Sequence, residues 1–224
     1  MARTPAPGRS RRPVAGLLAV ALPAALLVVA APSAHADPAE TAITGTDVET
    51  TYGKHTVVTA EVPGARGRVA LELGDEKKTG WVKDGTASFV VPRDLTAKVH
   101  TARWTYLGTT EHAPSSDTSR VVIRSAPTSA SASFDAPGTR RGGRADITVA
   151  NTGSSWPSPT GQVKLRLSRA DGRSITHVRH LEWGRTHVTL PRMSQGTWKA
   201  EVIYDGAPTT FARTSTTTSM RVAR

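Results

Sequence analysis

The stretch Gly67-Arg-Val-Ala-Leu-Glu-Leu73 returns 94 residues later as Gly161-Gln-Val-Lys-Leu-Arg-Leu167, with glycine first and apolar residues at alternate positions. A second match follows it, because Val91-Pro92 returns as Leu190-Pro191 at an offset of 99 residues. Matches that keep their order at a nearly constant offset are typical of an internal repeat. The chain is therefore predicted to contain two similar domains.

Apolar and polar side chains alternate within each copy, as they do in β-strands that have one buried face. The rows of the first copy predicted to face inward are Val58/Ala60/Val62, Val69/Leu71/Leu73, Ala87/Phe89/Val91, Ala102/Trp104/Tyr106 and Val121/Ile123. Those of the second copy are Ile147/Val149, Val163/Leu165/Leu167, Val188/Leu190, Trp198/Ala200/Val202/Tyr204 and Met220/Val222. Such rows, separated by turn residues, predict an all-β fold of two tandem sandwiches at 41–124 and 129–224, with a linker at 125–132.

A third match relates Ala102-x-Trp104-x-Tyr106-x-Gly108 to Ala200-x-Val202-x-Tyr204-x-Gly206 at an offset of 98 residues. Together with the Gly-x-Val-x-Leu-x-Leu stretch and the strand that ends in Val-Pro or Leu-Pro, this pattern resembles the bacterial immunoglobulin-like repeats of secreted and surface proteins. The resemblance covers essentially all of both copies and implies immunoglobulin-like β-sandwiches. It also implies a role as spacer, adhesion module or accessory domain beside a catalytic one, although no catalytic neighbour is visible in this sequence.

Residues 1–36 have the three regions of an export signal peptide. An apolar run at 14–31 follows a basic start, and the small residues Ala34 and Ala36 precede a predicted mature start at Asp37. Gly16 and Pro23 interrupt the apolar run, which favours a cleaved signal over an integral membrane anchor. We expect a secreted chain, released or associated with the cell wall. The route stays open between general secretion and the twin-arginine pathway.

Composition excludes several chemistries. The sequence has no cysteine, which rules out disulfides, a lipid-modified cysteine anchor, thiolate zinc sites and cysteine nucleophiles. It has 29 basic and 18 acidic residues, and four of the basic residues lie in the predicted signal, so the mature chain carries a net charge of +7. A surplus of this size is typical of a soluble surface, and it would also attract anionic polymers.

Three of the five tryptophans fall outside the inward rows, namely Trp81, Trp156 and Trp183. Trp156 lies in a polar, proline-containing loop at 151–160, where its ring would either stack on a sugar or partner, or fold back over the end of its own sandwich. Trp183 has the same two interpretations. Arg140, Arg141 and Arg144 lie in an Arg-Gly stretch that would either meet acidic groups or form a solvated hairpin.

Metal and catalytic chemistry are weakly supported. His177, His180 and His187 are the strongest metal candidates, but residues three apart on a strand point to opposite faces. The sequence has no Gly-x-Ser-x-Gly, His-Glu-x-x-His or phosphate-binding glycine loop. We therefore predict no metal site, no cofactor and no enzymatic activity. Nucleic acid is not an expected partner, because the sequence has no nucleic-acid fold signature.

These observations predict a secreted, non-enzymatic protein that acts as a structural or adhesive interaction module at the cell exterior, with a protein or a cell-wall polysaccharide as its partner. The alternative is a protein that binds carbohydrate or an anionic cell-wall polymer. In that alternative, Trp156 and Trp183 would stack on sugar rings, and Arg140, Arg141 and Arg144 would meet acidic groups.

Overall fold

The computed structural model describes residues 37–135 and 138–224, so the predicted signal peptide at 1–36 lies outside the described residues. Asp37–Arg224 forms one compact unit. Within the described ranges the regular elements are all β-strands. No helix in this part of the chain is long and apolar enough to cross a membrane.

The first half of the unit contains eight strands in two facing sheets. The strands are β1 (Thr44–Gly45), β2 (Val48–Thr51), β3 (Val57–Glu61), β4 (Arg68–Leu73), β5 (Glu76–Trp81), β6 (Thr86–Val90), β7 (Val99–Tyr106) and β8 (Ser115–Arg124). One sheet has the order β1-β3-β6 and the other β2-β8-β7-β4-β5. Neighbouring strands are antiparallel except β2 and β8, which are parallel.

The described residues of the second half form seven strands in a similar arrangement, which has no counterpart of the parallel strand β2. They are β9 (Thr128–Asp135), β10 (Gly143–Asn151), β11 (Gly161–Ser168), β12 (Ser174–Leu181), β13 (Arg185–Leu190), β14 (Gly196–Tyr204) and β15 (Thr214–Val222). A three-stranded sheet β13-β10-β9 faces a four-stranded sheet β12-β11-β14-β15, and every pairing is antiparallel. Two tandem β-sandwiches are therefore confirmed.

The predicted inward rows form the cores. Every residue of those rows is buried, and each sandwich has its own hydrophobic cluster. The two copies of the repeat also pair their strands in the same register. Leu71 pairs with Trp104 on β7, and the equivalent Leu165 pairs with Val202 on β14. Trp104 is fully buried, and its indole Nε1 donates a hydrogen bond to Ser119 Oγ at 2.9 Å. The largest core side chain of the first sandwich is thus also satisfied as a donor.

The structure explains why a glycine begins the repeated motif. The hydroxyl of Tyr106 donates to the carbonyl oxygen of Arg66 at 2.6 Å, which lays the tyrosine ring beside Gly67. Gly67 has a φ of +134°, and a Cβ there would lie 3.1 Å from the Tyr106 ring. A side chain at this position would meet both backbone strain and the ring, so glycine is required.

The connection between the sandwiches is shorter than the linker predicted at 125–132. Residues 128–132 belong to β9, where Ala130 and Ala132 are half-buried and alternate with exposed serines. These small residues form a strand because β10 supplies hydrogen-bond partners along their whole length. Only Ser125, Ala126 and Pro127 join β8 to β9, and Ala126 is itself fully buried.

Candidate functional site

Loops gather at the two ends of each sandwich, which we call poles. At the end of β8 the first sandwich presents the turn at 52–54 and the loop at 91–98, and both contact the second sandwich. The second sandwich presents the loops that follow β10 and β14. We call this contact region the junction, since backbone and side chains of both sandwiches meet there.

An aromatic pair lies at the centre of the junction. The rings of Tyr52 and Phe211 meet edge to face, with centroids 5.6 Å apart and planes at 83°. Phe211 is only 3 % exposed and belongs to the core of the second sandwich, whereas Tyr52 follows β2 of the first. Burial, with a smaller contribution from the charge of Asp94, raises the pKa of Tyr52 above its ordinary value. The core of one sandwich is thus continued by a side chain of the other.

Backbone hydrogen bonds fix the same region. The Ala97 N–H donates to the carbonyl oxygen of Thr209 at 2.7 Å, which joins the first sandwich to the loop after β14. The Ala126 N–H donates to the carbonyl oxygen of Thr210, also at 2.7 Å. In return the Ala212 N–H donates to the carbonyl oxygen of Ala126 at 2.9 Å. The short connection is therefore held on the second sandwich and has little freedom to hinge.

Trp156 takes part in the junction through its backbone. Gly53 has a φ of +81°, and a Cβ there would collide with the carbonyl oxygen of Trp156 and lie 2.5 Å from Cδ of Pro157. The Trp156 side chain remains 46 % exposed. The loop predicted to hold a sugar-stacking ring or a lid thus packs its main chain on the first sandwich and leaves about half of the ring in solvent.

Trp183 is the most exposed large apolar side chain among the described residues, at 85 %. It occupies a two-residue turn between β12 and β13, closed by reciprocal Glu182 and Arg185 backbone hydrogen bonds of 2.8 and 3.0 Å. Its φ is +53°, and Asp84, with a φ of +49°, occupies the matching turn of the first sandwich. Aspartate is common at such positions, whereas a bulky side chain is rare. Folding alone does not account for a tryptophan here.

The three predicted arginines lie away from the two tryptophans. Arg140 and Arg141 precede β10, while Trp156 follows it, and the nine residues of β10 span about 27 Å at 3.3 to 3.4 Å per residue. Arg144 lies on the outer face of β10, where its Nη2 is 2.7 Å from Asp146 Oδ1. The five predicted site residues therefore divide between opposite ends of the second sandwich and do not converge on one site.

An open cleft of about 1010 Å³ lies at the free pole of the first sandwich, lined by Glu61 and by residues 63–67 and 81–86. Trp81 at its edge is 66 % exposed, and the guanidinium carbon of Arg68 lies 5.9 Å from its ring centroid. Hydrogen bonds from Val62 N–H to the Gly85 carbonyl oxygen and from Val82 N–H to the Gly67 carbonyl oxygen, at 2.7 and 2.9 Å, join its two walls. The sequence pattern placed Trp81 outside the inward rows, but it gave no indication of the cleft.

The three histidines considered as metal ligands occupy different surroundings. His177 is half-buried opposite Leu165, and its Nε2 has no hydrogen-bond partner among the described residues. Burial, followed by the charge of Arg179, lowers the pKa of His177. His180 is exposed beside Gln162, and His187 lies opposite Asp146. Within 37–135 and 138–224, no group of three or more His, Cys, Asp or Glu side chains could hold a metal ion.

Comparisons with known proteins found similar solved structures but no matching family or curated protein. No family model matches the chain, and no curated protein matches it. A tetra-tandem repeat from the extending region of a large adhesion protein is 14 % identical with a TM-score of 0.49, covering 82 % of this chain and 49 % of that one. The chain thus spans about half the length of that structure.

Two further solved structures have two domains each. A two-domain fibronectin type III segment of chicken tenascin is 12 % identical, with a TM-score of 0.42, and covers 81 % of this chain and 98 % of that one. Titin domains Z1Z2, in a complex with telethonin, are 13 % identical with a TM-score of 0.41, covering 81 % and 97 %. Because all three TM-scores are below 0.5, we assign the fold class from strand order and register. By these criteria each half is an immunoglobulin-like β-sandwich.

Proposed function

We propose that this protein is a rigid, non-enzymatic interaction module that acts at the cell exterior in a structural or adhesive role. The junction is the observation that carries the proposal. Tandem domains in one chain ordinarily move against each other unless their interface is substantial and apolar. Here a three-residue connection, an edge-to-face aromatic pair and hydrogen bonds from Ala97 and Ala126 oppose that motion.

Rigidity suits a module that holds two binding surfaces at a fixed separation. The free pole of the first sandwich and the distal pole of the second face away from the junction, so each is open to a partner. The predicted export signal at 1–36 supports an exterior location. The chain has no cysteine, so burial in two separate hydrophobic cores stabilises it in place of disulfides.

The test is binding of labelled residues 37–224 to the surface of the cells that produce the chain and to their purified walls. The parent should bind, and a variant with a flexible Gly-Ser insertion between Ser125 and Ala126 should bind less, because its two surfaces no longer keep their spacing. Circular dichroism and the melting temperature of the inserted variant, compared with those of the parent, serve as the control for folding of both sandwiches. Equal binding by the parent and the inserted variant would contradict a rigid module.

A second candidate function is carbohydrate binding at Trp183. The specific observation is an 85 % exposed tryptophan at a φ of +53°, where the matching turn of the first sandwich uses aspartate. A site under backbone strain with a large exposed ring points to a ligand. Retention on purified polysaccharide should be lost with Trp183→Asn and kept with Trp81→Asn, which also removes an exposed ring. Equal retention by both variants would remove Trp183 as the site.

A further inference from the structure

The charge of the mature chain is concentrated in its second sandwich. Residues 37–124 carry 11 basic and 12 acidic side chains, a net charge of −1, whereas residues 125–224 carry 14 basic and 6 acidic side chains, a net charge of +8. The residue type differs as well. The second sandwich has 12 arginines and 2 lysines, while the first has 6 arginines and 5 lysines. The positive charge of the mature chain therefore comes from the second sandwich, and most of it is carried by arginines.

Strand order places six of these arginines at the pole opposite the junction. They lie in the loops that follow β9, β11 and β13 and directly after β15. We call them the arginine pole: Arg140, Arg141, Arg169, Arg173, Arg192 and Arg224. Pairing of Gly143 with Leu190 brings the first and third of these loops together, and pairing of Gly196 with Val222 brings in the C-terminal end.

Direct contacts tie these segments together. Ser194, in the loop after β13, accepts hydrogen bonds at its Oγ from Nη1 of Arg169 at 2.8 Å and from Nη1 of Arg173 at 3.4 Å. The Met193 N–H donates to the carbonyl oxygen of Gly138 at 3.5 Å, and Gly138 also forms a β-bridge with Ala223. Residues more than 80 positions apart in sequence thus form one continuous surface.

Few acidic groups offset this charge. Asp171 lies within the pole, with Oδ2 3.7 Å from Nε of Arg169 and 3.6 Å from Nε of Arg173, and Asp135 ends the neighbouring strand β9. In the described ranges, three members of the pole that lie in loops have no ion-pair partner: Arg140, Arg141 and Arg192. Like charges held together without counter-charges repel one another, and a bound polyanion would relieve that repulsion.

We propose that the arginine pole binds a linear anionic polymer of sugar or polyol units that carry phosphate or carboxylate groups. The inference rests on the proposed role at the cell exterior and names the chemistry of one partner. Guanidinium groups match both oxyanions with paired hydrogen bonds, which the point charge of lysine does not provide. Several arginines spread over one pole would engage successive charges of the same polymer and release its counterions.

Other polyanionic partners fit the pole less well. The exposed large apolar side chains of the described residues lie elsewhere, and Trp198, the tryptophan close to the pole, is buried with its Nε1 bonded to the Ser194 carbonyl oxygen. The described residues of the pole therefore offer no exposed aromatic ring on which single-stranded nucleic acid would stack. Among its described residues the pole also has no exposed large apolar side chain that would enter a lipid surface.

The experiment measures affinity of residues 37–224 for poly(glycerol phosphate), polygalacturonate and neutral dextran across a salt series. The test variant carries Arg140→Gln, Arg141→Gln and Arg192→Gln. The control variant carries Arg66→Gln, Arg103→Gln and Arg120→Gln, which are exposed in the first sandwich and change the net charge equally. Unchanged melting temperatures would show that both variants are folded.

The parent should bind one or both polyanions and not dextran. The test variant should bind about tenfold or more weakly, with the slope of log affinity against log salt shallower by about two, since each lost contact removes about 0.7. The control should match the parent. Equal losses in both variants, no binding by the parent at low salt, or tighter binding to duplex DNA or to anionic vesicles would overturn the proposal. The rigid-module test is separate, because the Gly-Ser insertion leaves the arginine pole intact.

Discussion

Tyr52 of the first sandwich packs edge to face on Phe211 of the second, with ring centroids 5.6 Å apart. Aromatic pairs of this geometry contribute about 0.5 to 1.5 kcal/mol beyond the apolar area that they bury. Because Phe211 is also part of its own sandwich core, a change at this ring is felt in both domains. The junction is therefore the place where the two sandwiches become one mechanical unit.

Phe211→Ala should uncouple the sandwiches. Loss of a buried phenylalanine ring costs about 3 to 5 kcal/mol, and here it also removes the partner of Tyr52. Hydrogen exchange at the Ala97 amide, which donates to the Thr209 carbonyl oxygen, reports the junction directly and should accelerate strongly. Met220→Ala is the matched control, since it removes a buried side chain from β15 outside the junction. Retained protection of Ala97 in Phe211→Ala would contradict the prediction.

Gly53→Ala should destabilise the protein more than Gly64→Ala does. Both glycines have positive φ, +81° and +72°, so each substitution carries a backbone cost of about 1 to 3 kcal/mol. Only at Gly53 would the new Cβ also collide with the carbonyl oxygen of Trp156, whereas the space at Gly64 is open. Chemical denaturation measures both values. Equal losses would mean that the Trp156 loop yields and does not support the junction.

Tyr204→Phe should cost about 0.5 to 1.5 kcal/mol, because it removes the hydrogen bond of 2.7 Å from the hydroxyl to the Thr160 carbonyl oxygen. Tyr204→Ala, or Tyr106→Ala in the other sandwich, should cost about 3 to 5 kcal/mol through loss of a buried ring. Denaturation in urea gives these free energies of unfolding. A Tyr204→Phe protein as unstable as Tyr204→Ala would show that the ring itself contributes little.

Tyr204 should also give a pH signature. Burial raises its pKa from 10 in the unfolded chain to about 12 in the native protein. Its contribution to stability is therefore complete below pH 10 and is lost as the pH rises from 10 to about 12. Ultraviolet titration should show a phenolate transition near pH 12 that Tyr204→Phe removes. A titration curve that Tyr204→Phe changes only near pH 10 would contradict the burial of this hydroxyl.

His177 should make the protein less stable in weak acid. Burial lowers its pKa below the unfolded value of 6.5, so the native state favours the neutral imidazole. The contribution is present above pH 6.5 and is lost as the pH falls through the lowered pKa. Unfolding free energies between about pH 7 and pH 5 should vary less in His177→Gln than in the parent. His180→Gln, an exposed neighbour, should keep the parental dependence, and a flat parental profile would refute the prediction.

Trp183→Asn should raise the melting temperature, because asparagine followed by Gly184 suits the positive φ of this turn and tryptophan does not. The expected gain is about 1 kcal/mol, the lower end of the cost of a strained residue. Trp81 lies at the end of a regular strand, so Trp81→Asn should not raise the melting temperature. A destabilised Trp183→Asn protein would indicate that the indole ring stabilises the fold.

The cores were predictable from sequence and the junction was not. Alternation along β4 and β11 identifies inward residues such as Leu71 and Leu165 without any knowledge of their neighbours. Tyr52 and Phe211 lie outside such rows, in a turn and a loop 159 positions apart, so no local pattern relates them. The Ala/Ser alternation at 129–132 resembles a linker in composition, and it becomes a strand only because β10 pairs with it.

The candidate site shows the same limit. Trp156 and Trp183 were identified as unusual from their sequence surroundings, and Arg140 and Arg141 from a short Arg-Gly stretch. Only the strand order shows that these pairs lie at opposite ends of β10. The same order brings Arg169, Arg173 and Arg192 from separate loops to one pole, which charge counting along the sequence cannot reveal.

The most direct test of the rigid two-domain unit is backbone ¹⁵N relaxation of residues 37–224, which reports the rotational diffusion of each sandwich separately. We predict that both sandwiches follow one common diffusion tensor, and that the Gly-Ser insertion after Ser125 gives two tensors with shorter correlation times. Two independent tensors in the parent protein would contradict the account, because the junction would then not hold the sandwiches together.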